Sequence, residues 1–126
     1  MKYLAFSIAL FTFMVGPAAI SYADGDITKG KRVFNKCKAC HMVSKQQNRI
    51  GPHLVGIFGR KAGSVKGFRY SKAMKDSGVV WNQVTLSAYF ANPRKFIKGN
   101  RMAFAGLRKQ KDREDLIAYL KQATAK

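Results

Sequence analysis

The chain has 126 residues, with 24 Lys and Arg against 6 Asp and Glu, for a formal net charge of +18. That length holds one small domain with a modest core of its own, and two cysteines are too few for a disulfide framework. A field of this sign attracts acidic partners and speeds encounter. Basicity is also a cue for nucleic-acid binding. Here Lys and Arg are spread along the whole chain and the N-terminus reads as exported, so no nucleic acid is expected, with anionic lipid surface a secondary contact.

Residues 1–23 read as a secretory signal peptide. Met1-Lys2 gives a positive start, Leu4 to Val15 is an uncharged apolar run, and Ser21-Tyr22-Ala23 places small residues at −3 and −1 of a cleavage site after Ala23. The run falls short of the ~20 apolar residues of a comfortable span. If Met14 to Ile20 is counted, the stretch approaches that length, and an uncleaved membrane anchor is the alternative. Residues 24–126 form the expected domain, placed in the periplasm.

Four segments of this domain read as helices and none as a strand. The first spans about Asp26 to Lys38, with Asp26 as N-cap and Ile27, Gly30, Phe34 and Cys37 on one face. Gly30 is unfavourable inside a helix, which asks for close approach by another element. A short helix follows Ser71, which offers a cap to Lys72-Ala73-Met74-Lys75. Thr85 to Asn92 presents Leu86, Tyr89 and Phe90, and Pro93 ends it. The last helix spans about Lys111 to Ala123, with Asp112, Glu114 and Asp115 near its start and a stripe of Leu116, Ile117 and Leu120.

Between these, Met42 to Tyr70 carries Gly51, Gly56, Gly59, Gly63 and Gly67 and has no period, and Ile97 to Leu107 likewise. Structureless stretches of that length are unusual in compact domains. A cofactor for the chain to wrap explains them.

The cofactor is legible in Cys37-Lys38-Ala39-Cys40-His41. Two thiols three positions apart and an adjoining imidazole form the attachment signature of a c-type haem, one sulfur for each vinyl group. Other readings are weaker. A thioredoxin-like couple needs a βαβ setting, which is missing. Zinc needs four ligands, or three and water, and the only His and Cys are Cys37, Cys40, His41 and His53. A Cys37–Cys40 disulfide would close a very small loop.

From Gly25 to Lys126 the chain resembles a class I cytochrome c, of the mitochondrial and alpha-proteobacterial soluble type. The likeness rests on Gly30-x-x-x-Phe34, the pentapeptide, Gly51-Pro52-x-Leu54-x-Gly56, Gly59-Arg60, Gly67-Phe68-x-Tyr70-Ser71, Trp81, Tyr89 to Phe96 with Asn92-Pro93, Met102-Ala103-Phe104-Ala105-Gly106, and Asp115 to Leu120. It implies an all-α fold of four to five helices wrapped round one covalent haem c, with the terminal helices crossing at Gly30, Phe34 and Tyr119.

The resemblance also implies roles. Cys37 and Cys40 carry the thioethers, and His41 and Met102 are the axial ligands, a pairing that raises the potential. The Pro52 carbonyl accepts from the His41 ring, and the Tyr89 hydroxyl points at the Met102 sulfur. Arg60, Tyr70 and Trp81 bind the propionates, and Asn100 helps hold one of them in place of a threonine. His53 is read as a surface residue.

The chain departs from the family pattern at several points. The gaps from Gly30 to Cys37 and from His41 to Pro52 are each one residue shorter than in the mitochondrial proteins, Lys98 stands where many relatives have proline, and Met74 where asparagine is frequent. The implied function is a monomeric one-electron carrier rather than an enzyme, since both axial positions are filled and a distal His–Arg pair for peroxide chemistry is missing. Lys36, Lys38, Arg94, Lys95, Arg101 and Lys109 would ring the haem edge and dock on acidic patches of a reductase and an oxidase or another periplasmic redox enzyme.

Overall fold

A computed structural model describes Gly16 and residues 24–126; the expected signal segment otherwise lies outside the described residues. Five helices follow one another: α1 (Ile27–Phe34), α2 (Lys72–Asp76), α3 (Gln83–Ala91), α4 (Pro93–Phe96) and α5 (Gln110–Ala123). The sole strand-like feature among the described residues is a single antiparallel bridge between Lys61 and Val80. None of the described helices is long and apolar enough to cross a membrane.

The local chemistry explains most boundaries. Asp26 caps α1 by accepting from the Lys29 N–H, and Ser71 caps α2 through Met74. Asn82 and Thr85 cap α3 reciprocally, so this helix starts two residues before Thr85. The sequence reading carries α1 to Lys38, but the helix stops at Phe34. The amides of Lys36 and Cys37 bond three residues back, to Val33 and Phe34, which tightens the coil into successive turns through Cys40. The reading also missed α4. Pro93 does end α3, but proline fits the first position of a helix equally well, and Asn92 accepts from the Lys95 N–H to start another turn.

Helices α1 and α5 cross at close range. A Cβ on Gly30 would lie 1.9 Å from the Asp115 carbonyl oxygen and 2.8 Å from the Tyr119 Cβ. The Phe34 and Tyr119 rings pack beside this crossing with centroids 5.4 Å apart. Asp115 is buried there and accepts from the Asp26 N–H at 2.7 Å and from the Lys111 ammonium. Leu86, Leu116, Ile117 and Leu120 fill the core beneath.

The long non-helical segments are pinned to this frame by backbone hydrogen bonds. Gly51 N–H donates to Cys40 O, Leu54 N–H to Met42 O, Gly56 N–H to Thr124 O and Leu107 N–H to Phe90 O. A short antiparallel stretch does the same for residues 59–62, through Gly59 N–H to Trp81 O, Trp81 N–H to Arg60 O and Ala62 N–H to Val79 O. These segments wrap a cavity of about 420 Å³ that reaches down to Leu86, Leu116 and Leu120.

Candidate haem site

The cavity is lined by Cys37, Cys40 and His41 from the turns after α1, and by Pro52, Arg60, Tyr70, Trp81, Tyr89 and Met102 from four further segments. Its volume is that of a small-molecule or cofactor pocket. Phe34, Leu54, Ile57, Met74 and Phe90 complete a largely apolar wall.

The His41 Nδ1 lies 2.7 Å from the Pro52 carbonyl oxygen. A carbonyl only accepts, so Nδ1 carries the proton and Nε2 is left with its lone pair. Burial pushes the imidazole below its ordinary range, the Pro52 bond opposes this, and the Arg60 charge adds to it, so the net shift is downward and favours the neutral ring. Gly51 makes room for that ring: a Cβ there would sit 2.4 Å from the His41 Cε1. The motif Gly51-Pro52 held this signal, although the sequence reading gave Gly51 no role.

The Tyr89 hydroxyl donates to the Met102 sulfur at 3.6 Å. Burial holds the Tyr89 phenol up at about 12, so it stays a donor. Tyr89 is clamped by the Trp81 ring, 5.0 Å centroid to centroid, and by Phe96 at 6.2 Å. Both thiols are free, and Cys37 is raised to about 11 by burial first and by Cys40 second, against a smaller pull from Lys36. Redox-active CxxC pairs need a lowered thiol instead. Among the described residues no three His, Cys, Asp or Glu converge as a metal site.

Backbone pairing puts Arg60 and Trp81 on one wall. The Arg60 guanidinium donates to the carbonyls of Val55 at 3.2 Å and His53 at 3.0 Å. The Tyr70 oxygen accepts from the Val65 N–H at 3.2 Å, which leaves its own proton free to donate. Among the described residues no Asp or Glu lines the cavity. Asp24, Asp26, Asp112, Glu114 and Asp115 cluster instead at the starts of α1 and α5, and Asp76 pairs with Lys72.

Two expectations need correction. Asn100 does not line the cavity. Its amide nitrogen donates to Pro93 O at 2.7 Å and Ile97 O at 2.8 Å, and its oxygen accepts from the Met102 N–H at 3.0 Å. The donors expected for a propionate are engaged in holding the Met102 loop, because Asn100 faces the end of α4. His53 is half-buried rather than a surface residue, with an Nδ1 that is buried and has no hydrogen-bond partner among the described residues.

The cytochrome c family model matches residues 27–124. The chain belongs to the cytochrome c family. A cytochrome c from Gibberella zeae is 54% identical over 104 residues, covering 81% of this chain and 98% of the relative. One from Chlamydomonas reinhardtii is 48% identical over 116 residues, covering 90% and 98%. The solved structure of cytochrome cH from Methylobacterium extorquens superposes with a TM-score of 0.73 at 42% identity, over 78% of this chain and 99% of that one.

Cytochromes c are electron-transfer proteins holding one covalent haem c, and this all-α member has the residues for it. Paired thiols, an imidazole with a free Nε2 and a thioether line one largely apolar cavity. The buried Trp81 indole lines it too, with an N–H that can donate to an anionic group of the haem. Of the rim residues expected from sequence, Lys36 and Arg101 line the cavity mouth, whereas Lys38, Arg94, Lys95 and Lys109 are exposed outside it.

Proposed function

We propose that residues 24–126 form a periplasmic one-electron carrier, exported with a signal peptide cleaved after Ala23, that moves electrons from a quinol–cytochrome c reductase-type donor to a terminal oxidase or another periplasmic redox enzyme. Cys37 and Cys40 hold the haem as thioethers, and His41 Nε2 and Met102 Sδ are the iron ligands. Bound haem supplies one-electron exchange between ferrous and ferric iron. The chain's part is to keep that exchange cheap in reorganisation. Pro52 orients His41, Tyr89 and Asn100 hold Met102 from two sides, and the apolar wall excludes water. His/Met ligation and a buried site raise the potential. Arg60, Tyr70 and Trp81 take a propionate, and Asn100 acts only on the Met102 loop.

The observation that carries this reading is the paired support of the two ligands in one cavity, His41 by the Pro52 carbonyl and Met102 by the Tyr89 hydroxyl. The basic surface draws acidic partners, chiefly through the on-rate. Visible spectra of the oxidised and reduced protein, with a haem stain after denaturing electrophoresis, test it. Covalent haem and a sulfur–iron charge-transfer band in the oxidised protein are expected, and Met102→Ala should remove the band, lower the potential and leave the haem attached. A colourless protein from a host with working haem-attachment machinery, or a potential unmoved by Met102→Ala, overturns the reading. N-terminal sequencing of protein from that host should begin at Asp24.

A further inference from the structure

A haem in this cavity brings two carboxylates, and the chain offers them cations at two levels. Arg60 is half-buried and anchored to two carbonyls, with Tyr70 and Trp81 on the same side of the cavity. That is one inner anion subsite. The donor expected for the second carboxylate, Asn100, is turned away. Two further guanidinium groups line the cavity instead. Arg69 precedes Tyr70 in the chain, and Arg101 reaches it across the fold, donating to the Tyr70 carbonyl at 3.1 Å. Both are exposed, so they stand at the mouth. The remaining lining cation, Lys36, adjoins the Cys37 attachment point.

We propose that Arg69 and Arg101, flanking Tyr70, form an outer cationic pair that binds the more exposed haem propionate and so helps set the redox potential. This rests on the haem reading above. Arg101 is tied to the Tyr70 carbonyl through one nitrogen, which orients the rest of its fork, and a planar guanidinium can grip a carboxylate with two parallel hydrogen bonds. The pair opposes the positive charge of ferric iron and stabilises the ionised propionate. The cationic side chains that line the cavity are Lys36, Arg60, Arg69 and Arg101, with no acidic side chain among the lining residues to oppose them.

The test is the midpoint potential of the holoprotein measured against pH. Arg69→Gln is the primary variant, being exposed and remote in sequence from Met102, and Arg101→Lys is the second, since it keeps the charge but loses the fork. Lys45→Gln serves as control: it removes the same formal charge from an exposed site off the cavity. Arg69→Gln should lower the potential at neutral pH and move the propionate inflection to higher pH. Arg101→Lys should shift the inflection in the same direction by less, and Lys45→Gln should leave it in place. An Arg69→Gln profile that superimposes on that of Lys45→Gln overturns the proposal. A parent protein that binds no haem would instead overturn the underlying reading, a separate result seen before any variant is compared.

Discussion

Gly30→Ala sets two effects of opposite sign against each other. Alanine should stabilise an isolated helix by ~1 kcal/mol relative to glycine. At the α1–α5 crossing the new methyl would lie 1.9 Å from the Asp115 carbonyl oxygen. An ordinary contact needs ~3.5 Å, so the helices must part by about 1.5 Å. That much separation breaks the 2.7 Å bond from the Asp26 N–H to Asp115, a charge-assisted bond worth ~1.5–3 kcal/mol. It also loosens the Phe34–Tyr119 contact, and overpacking of this kind costs ~1–3 kcal/mol. The clash and the lost bond outweigh the propensity gain by ~1.5–5 kcal/mol. For a domain of this size each kcal/mol moves the midpoint of thermal unfolding by ~4–8 °C, so Gly30→Ala should melt about 6 °C lower or more. Urea and thermal unfolding of the holoprotein followed by circular dichroism measure this. A midpoint equal to or above that of the parent refutes the close crossing.

Further outcomes follow from the same geometry. Burial alone would raise the Asp115 carboxyl, but the bonds from Lys111 and the Asp26 N–H outweigh it and hold the group below its ordinary 3.8. Such a group stabilises the fold above the unfolded-state pKa and loses that contribution as pH falls through the folded-state value. Asp115→Asn should therefore be less stable than the parent by ~1–3 kcal/mol at neutral pH, with the gap closing in acid; a pH-independent gap in urea midpoints contradicts this. Asn100→Ala removes three hydrogen bonds that hold the Met102 loop, so cyanide should bind the oxidised protein several-fold faster by stopped-flow absorbance, while an unchanged rate removes Asn100 from that role. Tyr89→Phe deletes the donor to the Met102 sulfur. The sulfur then donates more fully to ferric iron, and a redox titration should find a lower potential; an equal or higher one contradicts the contact.

How much was legible in the sequence differs from residue to residue. The pentapeptide, Gly30 and the apolar stripe of α5 were readable because each encodes its demand within a few neighbours. The end of α1 was misplaced because helical periodicity continues to Cys37 in the sequence, while the turns of residues 35–40 close mostly with three-residue bonds that carry no sequence signature. Helix α4 was missed because Pro93 was read as a stop only. Asn100 was given the wrong partners because the family pattern places a donor at that position without saying which way a longer amide will turn.

Haem chemistry, all-α class and strong basicity come from residue identity and short spacing, and the chain alone determines them. That Arg69 faces the cavity, what Asn100 holds and which ring Gly51 makes room for were decided only in three dimensions. Those answers depend on segments far apart in sequence meeting at distances of a few ångströms, and nothing local in the chain records such a meeting.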